Sequence, residues 1–271
     1  MESQPFFTRE GERFAPTSAS RGPWDEKSLH GRVIVGLLAG EIEARHGGPG
    51  YMPARLTVDM YRLPDLSPIT VTTRLVRDGY RIKVIEAELI SAGASMARGS
   101  CQLLRRTANP PGKVWSPPPW NAPAPGDTPA PAEGRSAMGG MWAMRPIAGA
   151  MGAHGPRRTW MAEVRPMVEG AALTPFVRAA LAADFASPFA NAGDAGLGYI
   201  NSDVTLYLHR VPVGEWIGFE VVNHQATDGV AIGECWLYDE AGAIGSASVA
   251  ALAQTRRIGE KPRGSPHSPK R

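Results

Sequence analysis

The stretch TPFVRAALAADFASPFAN, residues 174–191, decides how this sequence is interpreted. Thr174 is a good N-cap and Pro175 suits the first helical position, so the stretch predicts a helix from Thr174 to about Ala186. Its apolar residues recur at the spacing of one buried helical face, namely Phe176, Val177, Ala180 and Leu181. The helix is therefore expected to pack that face against a core.

Asp184 falls on this same apolar face. It lies seven residues after Val177 and three after Leu181, so an ideal helix points it toward whatever those residues pack against. A carboxylate there costs free energy unless it has partners. Two interpretations remain open: the helix ends near Asp184, with the side chain solvated or capping the turn before Pro188, or a functional site uses the charge.

Composition limits the possible functions. The 271 residues suffice for two ordinary domains or one large one, and 43% hydrophobic content supports real cores. The formal charge of +3 comes partly from the last residues, and no basic patch stands out elsewhere, which argues against nucleic-acid binding. The absence of a signal-like start or a long uncharged apolar run predicts a soluble cytoplasmic protein without a membrane partner. Cys101 and Cys235 are far apart, which favours reduced buried thiols.

The first half predicts one long helix followed by antiparallel strands. The helix, His30 to Arg45, has a broad apolar face, and Gly36 and Gly40 thin one side of it. Because glycine weakens a helix, the two glycines suggest that a sheet or a ligand comes very close there. Turn signals then separate four strand-like runs: Pro53 to Leu63, Ile69 to Arg77, Tyr80 to Ser91 and Met96 to Arg106. This pattern favours a sheet wrapped around a central helix.

The same order returns after residue 158. A strand from Trp160 to Met167 precedes the helix at 174, and four further strand-like runs follow it: Tyr199 to Arg210, Trp216 to Asn223, Gly229 to Asp239 and Ala243 to Gln254. A repeat at this scale indicates a duplicated domain. Between the copies, proline and then glycine, alanine and methionine dominate, as in linkers. We therefore predict an N-terminal domain over 1–106, a linker over 107–158 in which Trp115 and Trp120 could serve as anchors, a C-terminal domain over 159–257 and a disordered basic tail over 258–271.

Three local sequences add a family resemblance: LAADFASPFAN at 181–191, YINSDVTLYLHRVPVGEWIGFEV at 199–221 and LYDEAGAIGSASVAAL at 237–252. With the order of elements, they resemble the acyl-CoA thioesterase II family. The resemblance implies an α+β double hotdog, in which two copies of a long helix are each wrapped by an antiparallel sheet. It also implies hydrolysis of acyl thioesters of fatty acid metabolism, with no cofactor and no metal ion.

Carried over by position, the resemblance makes Asp184 the base that activates water. The family's Ser or Thr falls on Asn201, with Asp203 as the acidic residue two positions later. Asn201 is a departure, because an amide can orient water but cannot act as a hydroxyl relay. The family's Gln falls near Val249 or Ala250, and neither side chain has a polar atom. The sequence thus predicts a base with an altered set of water-holding groups.

The resemblance also implies substrate-binding residues and an assembly. His30 and Gly31 resemble the His-Gly pair of the first domain, where a small residue lets acyl-CoA approach, although a structural N-terminal histidine is an equal alternative. Asp203 is the third expected substrate-binding residue. Exposed sheet edges commonly pair, so a homodimer of double hotdogs is expected.

Two other functions stay open. The missing Gln favours an acyl-CoA-binding protein with weakened catalysis. A hydratase acting on enoyl thioesters is the other, but such enzymes typically use an Asp/His pair, and the run GDAGLGYIN at 193–201 has no His. A serine hydrolase of the GxSxG type is not supported, because the motif does not occur.

Overall fold

The computed structural model describes residues 4–25, 27–131, 142–150, 152 and 154–254. The predicted tail over 258–271 lies outside these residues. The helices are α1 (Gly31–His46), α2 (Pro175–Ala183) and α3 (Ala186–Asn191). The strands are β1 (Phe7–Glu10), β2 (Arg13–Pro16), β3 (Tyr51–Met60), β4 (Ile69–Asp78), β5 (Ile82–Ser91), β6 (Ala94–Arg105), β7 (Ala143–Ala148), β8 (Arg158–Ala162), β9 (Ala192–Gly193), β10 (Gly196–Leu197), β11 (Tyr199–Asn201), β12 (Asp203–Leu208), β13 (Trp216–Thr227), β14 (Val230–Asp239) and β15 (Gly242–Ala253).

One continuous sheet runs through both copies. Among the described residues it contains 13 strands, in the order β1-β2-β4-β5-β6-β3-β12-β15-β14-β13-β8-β7, with β11 also paired to β15. The copies meet where β3 and β12 pair antiparallel. Thr57 lies opposite Thr205 in this pair, and their hydroxyl oxygens are 3.1 Å apart. The expected α+β double hotdog is therefore confirmed, with each sheet half wrapped around its own helix.

The helix α1 is buried on nearly every side. Strands β3 to β6 cover one side of it, and α2 covers another. A Cβ at Gly36 would lie 2.7 Å from the Leu181 Cδ2 atom, and one at Gly40 would lie 3.6 Å from Val177 Cγ2. The two glycines therefore admit the second helix, and the expectation that a sheet or ligand approaches them is wrong. The later glycine of α1 meets the earlier residue of α2, so the two helices run antiparallel.

The predicted helix over 174–186 ends earlier, at Ala183. Thr174 caps its start as predicted, since its hydroxyl accepts the Val177 amide. Asp184 is the C-cap, and the chain continues through Phe185 in helical conformation into α3. The antiparallel packing brings the end of α2, and with it Asp184, against the start of α1.

Several strand boundaries differ from the predictions. The run from Trp160 to Met167 is a strand only to Ala162, and the run from Tyr199 to Arg210 is interrupted at Ser202. Both predicted free thiols are present and buried, at Cys101 and Cys235. No helix in the described part of the chain is long and apolar enough to cross a membrane.

Two described parts of the predicted linker pack against the second half of the sheet. Strand β7 pairs with β8 at the edge of the second half. Trp120 stacks on Tyr238 with ring centroids 4.2 Å apart, and Gly218 leaves room for it, whereas Trp115 is 81% exposed. One of the two expected tryptophan anchors is therefore in place. The predicted domain boundaries themselves stay a prediction.

Candidate active site

A cavity of about 620 Å³ lies where the antiparallel helices bring α1's start to α2's end. Strand ends of both sheet halves and the turn around β9 and β10 complete its wall. Its lining is predominantly apolar, with a few polar side chains. The wall includes His30, Gly31, Arg62, Asp184, Ser187, Asn201 and Gln254.

The Asp184 carboxylate is held by both copies of the repeat. Asp184 is 5% exposed, and its Oδ1 accepts a hydrogen bond from the Asn201 amide nitrogen at 3.1 Å. From the first copy, the backbone N–H of Arg32 is shared between this carboxylate and His30 Nδ1. A Cβ at Gly31 would lie 2.9 Å from Asp184 Oδ2, so only glycine lets the carboxylate come so close to the start of α1. The carboxylate therefore lies at the positive end of the α1 dipole.

Burial dominates the electrostatics of Asp184. It raises the pKa of the carboxyl group above its ordinary value, although the Asn201 hydrogen bond, the Arg32 charge and the Arg32 amide oppose the shift. A raised pKa moves an aspartate toward the range in which it can exchange protons near neutral pH. Buried carboxyl groups with a raised pKa in a cavity wall are candidates for a functional site.

His30 is a neutral neighbour of this carboxylate. Its Nδ1 lies 3.6 Å from Asp184 Oδ2, but burial, reinforced by the Arg32 charge, lowers the pKa of His30 to about 3. The short separation is therefore not an ion pair at neutral pH. Nδ1 accepts the Arg32 backbone amide at 3.2 Å, which assigns the ring proton to Nε2. That Nε2 atom is buried and has no partner among the described residues.

A buried ion pair between Arg32 and Glu163 lies close to Asp184. The Arg32 guanidinium bonds the Glu163 carboxylate, and both side chains are nearly inaccessible. The guanidinium also lies over the Phe6 ring at 4.8 Å and the Trp142 ring at 4.0 Å. Burial lowers the pKa of Arg32 to about 10, so the group remains charged at neutral pH. It thus places a fixed positive charge near Asp184.

Asp203 does not line the cavity. Its Oδ1 accepts the Ala250 backbone amide at 2.6 Å, and its carbonyl accepts the Asn201 side chain at 3.1 Å. These bonds fix the interruption at Ser202, which separates β11 from β12. The structure therefore brings together four of the five predicted site residues, and Asp203 supports Asn201 from the neighbouring strand.

The residues at the position expected for the family's glutamine, Val249 and Ala250, have no polar side-chain atom. Val249 is buried in the core. The Ala250 backbone N–H donates to the Asp203 carboxylate, and the Ala250 carbonyl accepts the Ser202 backbone N–H. Gln254 lies in the cavity wall, and its Nε2 donates to the Leu197 carbonyl at 3.3 Å. The polar side chains of the cavity wall therefore differ from the set that the family resemblance implies.

Sequence reasoning missed three residues of the site. Ser187 lines the cavity three residues after Asp184, and this spacing could have indicated it. Arg32 follows the His-Gly pair directly, but nothing in the sequence marks it as buried. Trp142 packs against the His30 ring with centroids 5.7 Å apart, and it lies in the predicted linker, where no sequence signal points to a site.

Family models match nearly the whole length of both repeats. The acyl-CoA thioesterase N-terminal domain matches residues 20–104, and the acyl-CoA thioesterase C-terminal domain matches residues 116–252. The chain belongs to the acyl-CoA thioesterase family. The C-terminal match begins inside the proline-rich segment, where Trp120 docks on the second half. A comparison with curated proteins gives no match.

Solved structures share the fold of this acyl-CoA thioesterase family member at low identity. A putative thioesterase from Novosphingobium aromaticivorans is 18% identical, with 93% of this chain and 100% of that chain covered and a TM-score of 0.69. The acyl-CoA thioesterase II from Mycobacterium marinum is 16% identical, with 90% and 94% covered and a TM-score of 0.62. A hot dog fold protein of unknown function from Alicyclobacillus acidocaldarius is 12% identical, with 93% and 96% covered and a TM-score of 0.69.

Proposed function

We propose that this protein hydrolyses acyl-CoA thioesters with a water molecule activated by Asp184. The observation that carries the proposal is the buried Asp184 carboxylate in the wall of an apolar cavity, held at 3.1 Å by Asn201 and adjoining the start of α1. Burial raises the pKa of this carboxyl group, which makes its anion a stronger base. Membership of the acyl-CoA thioesterase family supports acyl thioesters as the substrate class.

In the proposed reaction, water bound between Asp184 and Asn201 attacks the thioester carbonyl carbon. Asp184 accepts a proton from the water as the carbon–oxygen bond forms. Collapse of the tetrahedral intermediate breaks the carbon–sulfur bond, and the thiolate takes the proton back from Asp184. The products are a carboxylic acid and the free thiol, and no covalent acyl-enzyme forms.

The geometry disfavours a covalent route through the nearby serine. A serine nucleophile needs a histidine nitrogen within hydrogen-bond reach to remove its proton. His30 Nδ1 accepts the Arg32 amide, and Nε2 has no partner among the described residues, Ser187 included. With a pKa of about 3, His30 is also a weak base. Direct attack by water is the mechanism that these contacts favour.

Release of free thiol from acyl-CoA substrates of increasing chain length tests the proposal. We expect turnover in the wild type, and a loss of about 10³-fold or more in Asp184→Asn, because the variant has no base. Asp194→Asn is the matched control, since Asp194 is exposed and lies outside the cavity wall. Full activity in Asp184→Asn would refute the role of Asp184.

A second candidate function is acyl-CoA binding without efficient turnover. Val249 and Ala250 favour it, because they offer no side-chain polar atom where the family resemblance implies a glutamine. Saturable binding of acyl-CoA with no thiol release by either the wild type or the Asp184→Asn variant would select this alternative. The dimeric assembly and the cytoplasmic location stay predictions.

A further inference from the structure

The chain turns tightly between Asp184 and Ser187. Asp184 (φ -64°, ψ -22°) and Phe185 (φ -66°, ψ -18°) are both in the right-handed helical region. The Ser187 amide donates to the Asp184 carbonyl at 3.2 Å, a bond that spans three residues. In such a 3₁₀-type turn, side chains three residues apart eclipse one another. The Ser187 side chain therefore projects on the same side of the chain as the Asp184 carboxylate.

Ser187 is a buried residue whose hydroxyl faces the cavity. Ser187 is 3% exposed and lines the same cavity as Asp184 and Asn201. Among the described residues, no protein group makes a hydrogen bond to its hydroxyl. A hydroxyl that faces a cavity and has no protein partner is available to bind a water molecule or a substrate group there.

We propose that Ser187 is a further catalytic residue, whose hydroxyl holds the attacking water together with Asp184 and Asn201. The inference rests on the proposed hydrolysis. A hydroxyl accepts one hydrogen bond and donates another through a single oxygen, which the Asn201 amide cannot do. Asn201 occupies the strand position of the family's Ser or Thr and has no hydroxyl. Ser187 supplies a hydroxyl to the same site from the helix. The water oxygen, and not the serine oxygen, forms the bond to the acyl carbon.

Ser187→Ala tests this role in the full-length protein. We expect kcat for acyl-CoA hydrolysis to fall about 10²-fold with KM unchanged, as for other positioned groups that act in the transition state. Alanine favours a helix more than serine does, and the substitution removes an unpaired hydroxyl. The thermal midpoint Tm should therefore stay equal or rise. A purely structural serine would show the opposite, a lower Tm with little specific loss of kcat.

Ser91→Ala is the matched control. Ser91 is 1% exposed, and its hydroxyl also has no partner, but it does not line the cavity. We expect wild-type kcat in this variant. Wild-type kcat in Ser187→Ala, or a loss of kcat that accompanies a fall in Tm, would overturn the inference. If Asp184→Asn is nevertheless inactive, the proposed function stands without Ser187. If Asp184→Asn keeps full activity, the proposed function itself fails.

Discussion

Replacement of the catalytic candidate Asp184 by asparagine should stabilise the protein at neutral pH. The folded state holds this carboxyl group buried, with its pKa raised above the reference value of 3.8, so ionisation of Asp184 opposes folding. The penalty is absent below the unfolded pKa, grows as pH rises toward the folded pKa and is constant above it. Asparagine has no such penalty, and its side-chain oxygen can still accept the hydrogen bond from Asn201.

Each pH unit by which the folded pKa of Asp184 exceeds its unfolded pKa corresponds to about 1.4 kcal/mol of stability gained by Asp184→Asn at neutral pH. For a chain of this size, each 1 kcal/mol raises Tm by about 2 °C. Thermal unfolding of the wild type and the variant between pH 4.5 and 8 measures the difference, in which most other ionising groups cancel. Asp194→Asn, at an exposed position, should show no comparable gain. A lower Tm for Asp184→Asn at pH 8, or a gain that is equally large at pH 4.5, would refute the assignment of a burial-raised pKa.

Three further predictions follow from individual contacts. Trp120→Ala should lower the free energy of unfolding by about 3 kcal/mol in denaturant titration, because its ring contacts are lost, whereas Trp115→Ala at an exposed site should change it little. Gly31→Ala should lower kcat by at least about 10-fold in the thiol-release assay, because its Cβ would displace the Asp184 carboxylate; an unchanged kcat would contradict the packing. Arg62→Ala removes a cation from the cavity wall that we expect to attract the CoA phosphates. The variant should therefore have a higher KM for acyl-CoA and an unchanged kcat, and an unaltered KM would contradict this expectation.

The sequence predicts the fold well because the fold depends on local patterns. Alternation of apolar residues along the strands and the helical spacing after Thr174 both report burial directly. Because one helix followed by four strands occurs twice, few folds are compatible with the order of elements. Helical spacing also places Asp184 on the buried face, but the pattern alone leaves open whether the side chain is solvated or belongs to a functional site.

The remaining site residues depend on contacts between distant parts of the chain. The Gly36 side of α1 admits Leu181, and no local pattern distinguishes an approaching helix from an approaching sheet or ligand. Trp142 reaches His30 from a segment whose composition resembles a linker. Alternation along the strand also places Asp203 on the side of Asn201, but the interruption at Ser202 turns its carboxylate toward Ala250. Such irregularities arise from tertiary packing.

In the proposed mechanism, Asp184 acts as a base and water attacks the thioester directly. A single turnover of acyl-CoA in ¹⁸O-labelled water, with the protein in excess, tests it most directly. This mechanism predicts release of one thiol per substrate, one ¹⁸O atom in the released acid, and no added mass, either acyl group or ¹⁸O, during or after turnover in the peptide that contains Asp184 and Ser187. Release of no thiol, or unlabelled acid together with ¹⁸O in the Asp184 carboxylate, would contradict it.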